Sequence, residues 1–82
     1  MKYKYREAVV NELARHGIIP LADTPPDFIH QFVNDLYLIE IRALRQRLKA
    51  REIPKADYAE HVEALRKRYP ILSLPPSLWV ED

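Results

Sequence analysis

The sequence predicts an all-α fold. It reads as a three-helix bundle with a long central helix, an antiparallel helix 2–helix 3 hairpin, and an apolar, proline-rich C-terminal tail packed back on them. Three observations predict it. Apolar residues recur at helical spacing in three stretches, punctuated by Gly17, Pro20, Pro54 and Pro70. The composition, 48% hydrophobic and 30% charged, is that of a chain that buries a core and not of a disordered one. Gly17 is the one glycine, too few for a sheet-rich fold of many tight turns. With 82 residues the chain is read as one domain, residues 1–82, with a thin core and a stability of about 5 kcal/mol.

The first helix is expected over residues 4–16. Tyr5, Val9 and Leu13 share one face, Arg15 and His16 complement the dipole, and Gly17 suits a left-handed C-terminal cap. No Ser, Thr, Asp or Asn caps its start, so Tyr3–Tyr5 can equally be extended. In the loop that follows, Ile18, Ile19 and Leu21 are expected to tuck inward.

The second helix is expected over residues 25–51, with Thr24 as N-cap, Pro25 in the first helical position and Asp27 in the first turn. It carries two stripes. Phe28, Ile29, Phe32, Leu36, Ile39 and Ala43 lie on one side, and Tyr37, Ile41, Leu44 and Leu48 on another. The second set has the spacing of a packing seam. The third helix, expected over residues 55–68, repeats that spacing with Tyr58, Val62, Leu65 and Tyr69. Folding back at Ile53 sets Leu48 against Tyr58, Leu44 against Val62, Ile41 against Leu65 and Tyr37 against Tyr69. The tail, residues 70–82, is held extended by Pro70, Pro75 and Pro76, with a short turn allowed at Ser77–Trp79, and is too apolar to remain in water.

The functional classes narrow accordingly. Absence of cysteine removes disulfides, thiolate zinc sites and thiol catalysis, and suits a reducing, cytoplasmic location. No stretch approaches the roughly 18 apolar residues of a membrane span, and no secretory leader is recognisable. No glycine-rich phosphate loop, acid–base–nucleophile set or metal motif is present, so the chain is read as non-enzymatic, without cofactor or metal. Asp27 with His30 and Asp57 with His61 have ligand spacing, but the hairpin separates the pairs. Asp35 and Glu40 are expected on a solvent seam or paired with Arg66 and Arg68.

The leading expectation is a protein-interaction or oligomerisation module. The face of Phe28, Phe32, Leu36 and Ile39 exceeds what a short first helix covers, and Trp79 in the tail either plugs the domain's own groove or anchors a partner or a second copy. The alternative is a nucleic-acid-binding protein using Arg42, Arg45, Arg47, Lys49 and Arg51 on phosphates. A formal net charge of +1 does not favour it.

Overall fold

The computed structural model describes residues 2–81. The expected domain of residues 1–82 and tail of 70–82 extend to Met1 and Asp82, which lie outside the described residues. The protein is mostly helical, with a two-stranded sheet of minimal size. In chain order the elements are β1 (Lys4–Tyr5), α1 (Glu7–Arg15), α2 (Pro26–Lys49), a 3-10 turn (Lys55–Asp57), α3 (Tyr58–Lys67), two further 3-10 turns (Pro70–Ser73 and Pro76–Leu78) and β2 (Val80–Glu81).

The first helix is shorter than expected because its uncapped start is extended. Lys4 pairs with Glu81 and Tyr5 with Val80 in an antiparallel ladder, and the Arg6 amide donates to the Trp79 carbonyl. The second helix begins at Pro26 and not Pro25. A residue before proline is kept out of the α region, so Pro25 holds an extended ψ of 136° and serves as N-cap in place of Thr24. The tail is not simply extended. Its prolines open two 3-10 turns that swing the chain back towards α2 and deliver β2 to β1.

Two helix ends share one solution with different residues. After α1 the Gly17 amide donates to Ala14 and the Ile18 amide to Leu13, with Gly17 at φ 74°. After α2 the Arg51 amide donates to Leu48 and the Glu52 amide to Arg47, with Arg51 at φ 62°. Both are Schellman caps, and their left-handed residue favours glycine. Arg51 therefore holds a strained backbone where Gly17 holds a relaxed one. We expect Arg51→Gly to stabilise the protein by about 1 kcal/mol in urea unfolding, because a β-carbon costs about that much in this region. Gly17→Ala should destabilise by a similar amount, although the added carbon meets nothing within 4 Å.

The core comprises Val9 and Leu13 of α1, Ile29, Val33 and Leu44 of α2, Ile53, Leu65, Tyr69, Ile71 and Trp79. Tyr37 meets Tyr69 edge-on with ring centroids 5.5 Å apart. The molecule is long for its size, 49 × 18 × 16 Å. Its radius of gyration of 15.2 Å exceeds the roughly 12 Å of a compact domain of this length. A narrow body cannot enclose a helix about 36 Å long, and one side of α2 stays in water.

Candidate functional site: the solvent face of the long helix

The first predicted stripe on α2 divides in two. At about 100° per residue, Phe28, Phe32 and Ile39 fall within about 40° of one another, while Ile29 and Leu36 lie some 80–100° round from Phe28. That offset decides their fates. Ile29 is buried and Leu36 half-buried against the core, whereas Phe28, Phe32 and Ile39 are 68%, 49% and 60% exposed. Leu38, on the flank of the same side, is exposed as well.

The 17–23 loop extends this apolar face. Ile18 packs inward, but Ile19 and Leu21 are 83% and 64% exposed, contrary to the expectation that all three tuck in. Pro20 holds Ile19 extended, and in extended chain successive side chains point to opposite sides. Ile18 to Leu21 and Thr24 then form one wall of an open groove of about 300 Å³, and Phe28, Ile29 and Phe32 form the other. Ile19 and Leu21 are the exposed apolar residues of this groove that sequence reasoning missed. The alternation about Pro20 was the signal for them.

Of the two places expected for Trp79, the structure shows the first, which removes it from the expected contact residues. It is fully buried in the core of its own chain. Its indole N–H donates to the Leu74 carbonyl at 2.9 Å, and its ring lies 5.3 Å from that of His30. Held against α2 by the two proline turns, it fills this chain's own core.

The polar residues resolve into separate groups. Glu40 binds Arg68 at 3.1 Å and accepts a hydrogen bond from the Tyr69 hydroxyl. Arg66, expected as another partner across the hairpin, pairs with Glu63 on its own helix. Asp35 is exposed and accepts a bond from Gln31 at 3.0 Å. Arg47 reaches Glu52 at 3.8 Å, while Arg42, Arg45, Lys49 and Arg51 form no ion pair among the described residues. His30 lies half-buried beside Trp79, and His61 is exposed on α3. Among the described residues no three His, Cys, Asp or Glu side chains converge as metal ligands, and no helix is long and apolar enough to cross a membrane.

Tyr69 joins the three helices. It follows α3 by two residues, bonds Glu40 of α2, and stacks on His16 just after α1 with centroids 4.6 Å apart. Burial, and then its bond to Glu40, push its phenol up to about 12. The folded pKa exceeds the usual value near 10, so the protonated form favours the fold. That contribution is complete below pH 10 and is lost as the pH rises through 10 to 12. A loss of about 2 kcal/mol over that window is expected in urea titrations. Tyr69→Phe should cost about 1 kcal/mol at neutral pH and remove most of the alkaline loss. An undiminished alkaline loss in Tyr69→Phe would place its origin elsewhere.

Comparison with protein-family models, curated proteins and solved structures finds no match.

Proposed function

We propose that the protein is a small, non-enzymatic interaction module whose contact surface is the solvent face of α2 and the adjoining 17–23 loop. One observation carries the reading. Ile19, Leu21, Phe28, Phe32 and Ile39 are large, apolar and mostly exposed on one side of the molecule. Scattered exposed apolar side chains need no explanation, but a continuous set with an aromatic centre marks a contact site. Phenylalanine is among the residues enriched where proteins meet.

The scaffold beneath this face reads as a bundle built on an antiparallel α2–α3 hairpin. Tyr37 meets Tyr69, Glu40 meets Arg68, and Leu44 and Leu65 line one depression. Positions on α2 rise as those from Tyr69 back into α3 fall, the order an antiparallel pair requires. This bracing lets α2 present its outer face as a rigid rod, which lowers the entropy cost of docking.

Hydroxyl-radical footprinting tests the reading. Phe28 and Phe32 should oxidise readily in dilute purified protein and become protected at high concentration or in cell extract, while Tyr58 on α3 keeps a constant rate. Unchanged oxidation of Phe28 and Phe32 under every condition would overturn it.

Nucleic-acid binding is the second reading, and Arg42, Arg45, Lys49 and Arg51, without ion pairs among the described residues, favour it. It requires retention on heparin that Arg42→Ala/Arg45→Ala/Lys49→Ala removes. Failure of the wild type to bind heparin at low salt would rule it out.

A further inference from the structure

We infer that the partner of the α2 face is a second copy of this chain, its α2 packed antiparallel across a two-fold axis near Leu38 and Ile39. This rests on the interaction reading above and names the occupant of that surface. The argument is charge complementarity along one helix. The half of α2 from Pro26 to Ile39 carries Asp27 and Asp35 and no Lys or Arg. The half from Glu40 to Lys49 carries Arg42, Arg45, Arg47 and Lys49 against Glu40 alone, and Glu40 is already held by Arg68 and Tyr69.

The groups that matter stand outside the ion pairs of the described residues. Asp27, Asp35, Arg42, Arg45 and Lys49 are all exposed, and none forms an ion pair among the described residues. They also lie on the right side. At about 100° per residue, all five fall on the same half of the helix as Phe28, Phe32, Leu38 and Ile39. Every exposed large apolar residue of α2 is thus in one band with every free charge.

A two-fold contact is self-complementary, so each residue that meets a second also receives the reverse contact. Antiparallel pairing about Leu38 and Ile39 sets Asp35 opposite Arg42 of the second copy and Asp27 opposite its Lys49, each pair occurring twice. Leu38 of each copy closes on Ile39 of the other at the axis. Phe28 and Phe32 come to lie under the aliphatic stems of the second copy's basic half, where rings and cations attract. A parallel pairing would set acid against acid and base against base. Charge contacts of this kind fix orientation and register more than they add affinity.

Sedimentation equilibrium of the purified protein, with Asp35→Arg, Arg42→Asp and the double variant, tests the inference. Both positions are exposed, and circular dichroism confirms that each variant stays helical. The wild type should dimerise. Each single reversal should weaken the dimer by about tenfold, and the double variant should restore it. Two results overturn the proposal. One is a wild type still monomeric at ~1 mM, weaker than any specific contact of interest. The other is a dimer that neither reversal weakens, or that the double variant fails to restore. A monomer whose Phe28 and Phe32 are nevertheless protected in extract means a different protein occupies the face. The interaction reading then survives and the second copy does not. A monomer without protection anywhere removes both.

Discussion

Trp79→Ala should come close to abolishing the folded state at 25 °C. The side chain is fully buried, and replacing a buried tryptophan by alanine costs about 3–5 kcal/mol. A domain of 82 residues has about 5 kcal/mol in all. The substitution also leaves the Leu74 carbonyl without its indole donor and removes the ring that holds the tail against His30 of α2. The strand pair depends on the same residue, because the Arg6 amide donates to the Trp79 carbonyl next to the Tyr5–Val80 register. Loosening the tail therefore loosens both ends of the described chain. Urea unfolding should show the midpoint falling by about 3 M, for a slope of about 1 kcal/mol per molar. Leu78→Ala, one residue away and half-exposed, should cost under about 1 kcal/mol. Equal effects of the two would mean that the tail is not seated as described.

Phe28→Asp/Phe32→Asp should do the reverse, sparing the fold and removing the contact. Both side chains stand in water, and exposed substitutions away from special features usually change stability by less than about 0.5 kcal/mol each. Phe28 lies in the first turn of α2, where an acid favours the helix dipole. At the contact the same change places carboxylates in the centre of an apolar surface. Central aromatic residues of an interface typically carry about 2 kcal/mol or more, so association should weaken at least thirtyfold. Unfolding curves and light scattering on the same samples read both effects. Loss of cooperative unfolding would show that these phenylalanines belong to the core and that the face is not a spare surface.

The contrast between Trp79 and Phe28 bears on what is legible in the sequence. Apolar stripes placed all three helices, because periodicity and proline are local signals. The Schellman cap after Gly17 was legible for the same reason. The equivalent cap after α2 was not, since Arg51 occupies the position where glycine is the usual sign. Which side of α2 faces inward was not legible either. Phe28 and Ile29 are neighbours in sequence and both apolar, and only the placement of α3 and the tail separates the buried one from the exposed one. Trp79 posed the same question with two answers, its own core or another chain's. The answer depends on two proline turns that bring residues 70–79 back across the chain. The two-residue strands β1 and β2 are too short to carry an alternating pattern, and they exist because the tail's return places them side by side.

The candidate site was half visible. Phe28, Phe32 and Ile39 were expected at a contact and are exposed together; Leu36 is half withdrawn, and Trp79 wholly so. Ile19 and Leu21 enter the face only through the extended backbone set by Pro20. No rule of composition separates an apolar loop that folds inward from one that lies open.

Photo-crosslinking from position 28 tests the central claim most directly. Benzoylphenylalanine replacing Phe28 keeps the aromatic character of the face, and the same group at Ala59, exposed on α3, serves as control. Irradiation in cells should give a discrete covalent adduct from position 28 and none from position 59, and the purified protein should give an adduct of twice the chain mass. An absence of adducts from position 28, or equal adducts from both positions, would contradict the assignment of the α2 face as the surface through which this protein acts.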